Sequence, residues 1–112
     1  MHELAITRNI VAAIGEAAAG RRVRRVYLDI GRLAGVMPDA IAFCFDAVAQ
    51  GTVLDGARLD IHQIDGRAAC GECGSEFAAE SIIARCACGS RRVRLIAGEE
   101  LDIKAMELEE AA

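Results

Sequence analysis

From residue 3 to residue 19 the apolar positions keep a helical rhythm. Ile6, Ile10, Ala13, Ile14 and Ala17 form a stripe that Leu4, Val11 and Ala18 widen, while Arg8, Asn9 and Glu16 fall on the other side. Gly20 is placed to end this helix as its C-terminal cap. The rhythm then changes to period two. Over Arg21 to Gly31, Val26, Leu28 and Ile30 alternate with Arg25, Tyr27 and Asp29, the pattern of a half-buried strand. Gly31, Gly35 and Pro38 mark a loop, and Pro38 suits the first turn of a second helix, Asp39 to Gln50, with Ile41, Phe45 and Val48 along its stripe. A turn at Asp55-Gly56 leads into a second strand, Ala57 to Ile64, where Leu59 and Ile61 alternate with Arg58, Asp60 and His62. Leu101 to Leu108 reads as a third strand with Leu101, Ile103 and Ala105 on one face, and the tail from Glu107 to Ala112 is expected to fray.

Between the second and third strands lies a segment of different character. Gly66 to Ile96 holds four of the five cysteines and is too short to bury a core of its own, so it needs a cross-link to stay ordered. The pattern predicts an α+β fold: a small three-stranded sheet with two helices, plus an inserted zinc-ribbon-like module. Residues 1–65 and 97–112 form the α+β domain, and residues 66–96 form the insert.

Composition narrows the class. A chain of 112 residues with 54% hydrophobic content, Trp 0, Tyr 1 and Phe 3 builds its core from Ala, Val, Ile and Leu, and is not disordered. Even the apolar stretch from Ala34 to Phe45, broken by Asp39, falls far short of the roughly 20 apolar residues that span a bilayer. No basic segment followed by an apolar run opens the chain, so a cytoplasmic protein with no membrane partner is expected. The net charge of −4 argues against a general nucleic-acid binder. Arg21, Arg22, Arg24 and Arg25, and the group Arg85, Arg91, Arg92 and Arg94, read either as solvated faces or as docking points for an acidic partner.

The cysteines carry chemistry. Cys70-Gly71-Glu72-Cys73 and Cys86-Ala87-Cys88-Gly89 have the layout of two short loops that each offer a pair of thiolates to one ion. Zn²⁺ takes four in a tetrahedron at about 2.3 Å per bond. In a reducing compartment such clusters are more often metal ligands than reduced or disulfide-paired cysteines without metal. Four thiolates favour a closed, structural zinc over an open catalytic one, because no His/Glu constellation accompanies them. The second loop has one intervening residue where the first has two, so its geometry is expected to be strained. Cys44 stands alone in the second helix and reads as a small buried hydrophobe.

Met1-His2-Glu3 holds a second possibility. The α-amine, the His2 imidazole, the His2 amide nitrogen and the Glu3 amide nitrogen can close a planar nitrogen set, which suits Ni²⁺ or Cu²⁺ and not Zn²⁺. Taken alone the signal is weak, since most histidines at such a position are solvated surface groups. His62, the other histidine, reads as structural or exposed.

Several motifs together carry a resemblance. Met1-His2-Glu3-Leu4 opening an amphipathic helix is followed by Ala42-Phe43-Cys44-Phe45-Asp46 and Gly51-Thr52-Val53-Leu54-Asp55-Gly56-Ala57. Next come the cysteine pairs, Cys88-Gly89-Ser90 and Gly98-Glu99-Glu100-Leu101-Asp102-Ile103. In this order they resemble the HypA/HybF family of hydrogenase nickel-incorporation proteins over essentially the whole chain. The resemblance implies a nickel metallochaperone and not an enzyme. It would deliver Ni²⁺ to the large subunit of [NiFe]-hydrogenase, working with a nickel-binding GTPase of the same maturation system, as a monomer or weak homodimer. It implies Ni²⁺ cargo at Met1, His2 and Glu3, and structural Zn²⁺ at Cys70, Cys73, Cys86 and Cys88. The chain departs from the family at one point: the usual Cys-Pro-x-Cys of the second loop is here Cys86-Ala87-Cys88. The rival reading is a zinc-ribbon module that binds protein or nucleic acid with no nickel role.

Overall fold

A computed structural model describes residues 2–110; Met1, Ala111 and Ala112 lie outside the described residues. The element order is α1 (Glu3–Ala18), β1 (Val23–Gly31), α2 (Pro38–Ala49), β2 (Arg58–Ile64), β3 (Arg67–Cys70), β4 (Glu76–Ala78), β5 (Val93–Ala97) and β6 (Leu101–Leu108). The fold is α+β. One sheet runs β2-β1-β6, with β1 parallel to β2 and antiparallel to β6, and a second runs β4-β3-β5, all antiparallel. Parallel pairing of β1 with β2 requires a crossover, and α2 supplies it.

The core gathers under the two helices. Ile10, Val11, Ile14 and Ala18 of α1 and Ile41, Phe45 and Ala49 of α2 bury against Val26, Leu28 and Ile30 of β1. The α1 stripe is therefore Thr7, Ile10, Val11, Ile14 and Ala18, and the expected members Ala13 and Ala17 face solvent instead. Thr7 is fully buried because its hydroxyl donates to the Glu3 carbonyl at 2.7 Å, one turn back. Ala19 takes a left-handed conformation (φ 51) beside Gly20 (φ 86), so the helix stops one residue before the expected end. In α2, Pro38 occupies the first turn, where its missing N–H costs nothing.

Strand β6 departs from simple alternation. Leu28 pairs with Ile103 but Tyr27 with Ala105, so a bulge at Lys104 reverses which face later residues occupy. Met106 and Leu108 thereby join the core side, while Ala105 sits beside Tyr27 on the opposite face, contrary to the expected Leu101, Ile103, Ala105 stripe. Leu108 also pairs with Val23, and Glu109 N–H donates to Arg22 O at 2.8 Å. The segment 107–109 is thus strand or strand-anchored, not frayed.

The second sheet is the element that the hydrophobic pattern did not resolve. The radius of gyration of 17.4 Å, against about 13 Å for a compact chain of this length, and extents of 59 × 26 × 17 Å describe an elongated molecule. The two sheets meet where three glycines cross. A Cβ on Gly31 would lie 1.9 Å from Gly98 O, and one on Gly98 2.6 Å from Gly66 Cα. Only glycine permits this approach. Leu33 N–H donates to Gly98 O (2.7 Å), Gly31 N–H to Glu100 O (2.7 Å) and Ala79 N–H to Gly66 O (2.9 Å). The Arg32–Asp65 ion pair flanks the joint.

Candidate metal sites

The first site is the start of α1. His2 is the N-cap residue, exposed, with no side-chain capping hydrogen bond, so its imidazole is not spent on the helix. The first intrahelical bond runs from Ile6 N–H to His2 O at 3.1 Å. The backbone N–H groups of the opening residues therefore have no helical partner, as at any helix N-terminus. Amide nitrogens that lack a helical bond can be used as ligands without breaking one.

The Glu3 side chain points elsewhere. Its Oε2 accepts the Met37 N–H at 3.0 Å, so a carboxylate from α1 caps the start of α2. That hydrogen bond holds the Glu3 carboxyl below the ordinary carboxylate range. It also pins the first turn of α1 to the α2 N-terminus. Met1 lies outside the described residues, so the expected amine ligand has no described position.

The second site is the cysteine cluster. One sulfur from each of Cys70, Cys73, Cys86 and Cys88 lies within 4.8 Å of the others. Cys70 Sγ is 3.8 Å from Cys88 Sγ, and Cys73 Sγ is 3.5 Å from Cys86 Sγ. A tetrahedral ion with bonds of about 2.3 Å requires sulfur–sulfur edges of about 3.8 Å. The donor set fits such an ion.

Strand pairing delivers the first loop, since Cys70 ends β3 and Gly71 N–H bonds Arg92 O at 2.7 Å ahead of β5. Glu72 and Cys73 N–H groups both point at Cys70 Sγ at 3.4 Å. The shortened loop closes in a related way. Gly74 N–H bonds Cys70 O (3.1 Å), four residues back, whereas Gly89 N–H bonds Cys86 O (2.9 Å), three residues back. Both glycines have positive φ (78 and 93). Losing one residue tightens the turn by one position, and Cys86 stays buried with its sulfur in the cluster.

The four thiols shift one another in opposite directions. The N–H groups of Cys73 and Glu72 draw Cys70 below the ordinary thiol range, and the Ser75 hydroxyl does the same for Cys73 and Cys86. Ser90 N–H would lower Cys88 as well. Its contacts with Cys86, Cys70 and Cys73, together with desolvation, outweigh that and push it up to about 12. Sulfurs this close repel one another when ionised, and a bound cation would let all four ionise together.

Ser75 was missed in the sequence. Its Oγ lies 3.1 Å from Cys73 Sγ and 3.4 Å from Cys86 Sγ, bridging the two loops. A serine two residues beyond a cysteine is the only signal that marked it. The Glu3–Met37 contact had no local signal, because it spans two helices. His62 joins neither site: it is exposed on β2 with Nδ1 3.4 Å from Asp29 Oδ1. Cys44 is half-buried between exposed Phe43 and buried Phe45, less enclosed than expected. No described helix is long and apolar enough to cross a membrane.

Comparison with known proteins gives the same pattern. Residues 1–108 match the family described as hydrogenase/urease nickel incorporation, metallochaperone, hypA. The hydrogenase maturation factor HypA of Trichormus variabilis is 57% identical over 110 residues, 98% of this chain and 97% of that one. Its counterpart in Geobacter sulfurreducens is 46% identical, over 97% and 100%. Two solution structures share the fold: one described as HypA protein (TM-score 0.74, 23% identity, 97% of each chain) and the Ni metallochaperone HypA from Helicobacter pylori (TM-score 0.69, 21% identity, 96% and 97%).

Proposed function

Since the chain belongs to the HypA family of nickel-incorporation metallochaperones, a family of maturation factors and not of enzymes, we propose that it carries Ni²⁺ on its N-terminus and delivers it to the large subunit of [NiFe]-hydrogenase. Met1 supplies the amine, His2 its imidazole and amide nitrogen, and Glu3 its amide nitrogen. The observation that carries this reading is the state of the α1 start: His2 is exposed and uncommitted, and the first helical hydrogen bond does not begin until Ile6. The Glu3 carboxylate, bonded to Met37, is a positioning group, while its backbone nitrogen has no helical hydrogen bond to give up.

Charge favours the same place. The N-terminal end of a helix disfavours added cations. A Ni²⁺ ion held by a neutral amine and two deprotonated amides is formally neutral there, whereas the free ammonium carries a full positive charge. Binding therefore relieves repulsion at the helix end. It also releases protons, so affinity rises with pH. A planar nitrogen set discriminates against Zn²⁺, and a chain end exposes the cargo to ligand exchange with a recipient.

Residues 66–96 form the module in which Cys70, Cys73, Cys86 and Cys88 hold a structural Zn²⁺; residues 1–65 and 97–112 form the nickel-carrying unit. Zinc would supply a covalent-strength cross-link to the second sheet and take no part in transfer. The partners in this reading are a nickel-binding GTPase of the maturation system and the hydrogenase large subunit, met in the cytoplasm. Isothermal titration with Ni²⁺ tests the proposal. Adding one residue before Met1, or making His2→Ala, is expected to abolish stoichiometric nickel binding and leave zinc content unchanged. Undiminished binding in the extended variant refutes the terminal site.

A further inference from the structure

We propose that the groove beside the second cysteine pair is a docking surface for an acidic, amphipathic segment of a partner protein. The groove, about 420 Å³, is lined by Ile82, Ile83, Ala84, Arg85, Arg91 and Val93. Ile82 and Ile83 follow one another in the loop between β4 and Cys86, 66% and 86% exposed; Ile83 is the most exposed large hydrophobic side chain among the described residues. Two adjacent isoleucines held in water are unfavourable unless something covers them.

The walls say what the occupant is. Arg85 precedes Cys86 and Arg91 follows Ser90, and the turn between them closes through Cys86 N–H to Ser90 O at 3.0 Å. The cysteine loop thus sets the spacing of the two guanidinium groups. Among the described residues neither they nor Arg92 and Arg94 enter an ion pair. Residues 66–96 carry five arginines against three glutamates, while the rest of the chain carries eight basic residues against fourteen acidic ones. A basic apolar slot on an otherwise acidic chain complements carboxylates flanking an apolar anchor, and arginine pairs with carboxylate in a bidentate fork.

Nucleic acid fits less well. Phe77, half-buried, is the one aromatic in residues 66–96, so nothing in the groove can stack a base. A lipid surface would gain only two isoleucines of insertion. The inference rests on none of the nickel assignments, and its test leaves them untouched.

The experiment uses the full-length, metal-loaded protein and a short fluorescein-labelled peptide alternating leucine and glutamate, with a lysine-for-glutamate peptide as control. Anisotropy should show binding of the acidic peptide only, weakening with salt. Amide shifts should centre on residues 82–85 and 91–93. The double variant Ile82→Ser/Ile83→Ser, and separately Arg85→Glu/Arg91→Glu, should each weaken binding about tenfold or more, as expected of interface anchors, with metal content and helix resonances unchanged. Equal binding of the lysine peptide, shifts centred elsewhere, or unaffected variants overturn the proposal. So does binding of an RNA oligomer or phosphatidylserine vesicles through these same residues while the acidic peptide stays free.

Discussion

Replacing Cys73 by serine removes one sulfur from the cluster and preserves the side chain's size. The insert has little else to hold it. Among residues 66–96 the buried apolar side chains are Ala68, Ala79 and the two cluster cysteines Cys70 and Cys86, and none belongs to the main core. The two alanines contribute about 0.8 kcal/mol each. Half-buried Phe77, Val93 and Leu95 add about 1 kcal/mol apiece. Their sum, about 5 kcal/mol, is half or less of the 10–16 kcal/mol that a structural zinc supplies to a small module. Cys73→Ser is therefore expected to lose zinc and to unfold the β4-β3-β5 sheet, while α1, α2 and β1 remain folded around Phe45 and Ile14. Elemental analysis reports the metal, and amide spectra report the two parts separately. Resonances from residues 67–97 should collapse to random-coil positions and those of the helices should not move. A dispersed spectrum for 67–97 in metal-free protein would refute the stapling argument.

Three further outcomes follow from the geometry. Gly31→Ala places a methyl group against the Gly98 carbonyl and should cost about 1–3 kcal/mol by overpacking, read as a lower denaturation midpoint, because the joint's backbone must move. Phe45→Ala, at a position 2% exposed, should cost about 3–5 kcal/mol in the same assay. The Glu3 carboxyl is lowered in the folded chain by the Met37 N–H, so its contribution to stability is present above the ordinary carboxylate range and lost as pH falls through the depressed value. Glu3→Gln should therefore be less stable than the parent near neutral pH, with the gap closing in acid; a gap that widens in acid contradicts the contact.

Much of this was legible in the chain because helices and long strands announce themselves by periodicity. Ile10, Ile14, Ile41 and Phe45 were core candidates on spacing alone, and Val26, Leu28 and Ile30 alternated cleanly. Alanine misled: Ala13 and Ala17 fit a helical stripe as well as Thr7 does not, yet the burial of Thr7 depends on a back-bond that no hydropathy pattern encodes. The bulge at Lys104 hid the face of Ala105, since register is set by pairing and not by local sequence. Strands β3 and β4 are short and carry Ala, Arg, Glu and Cys with a single Phe, so no alternation of branched residues marks them. Cysteine spacing marked the ligand candidates, but Ser75, and the way the shortened Cys86 loop closes, depend on contacts across the module.

The nickel terminus is the centre of the account, and X-ray absorption at the nickel edge tests it most directly. Protein with its native start, loaded with one equivalent of Ni²⁺, is expected to show a planar, four-coordinate nitrogen environment with an imidazole signature, absent from the His2→Ala variant. A six-coordinate spectrum, or sulfur in the nickel shell, retained after His2 is replaced, would contradict it.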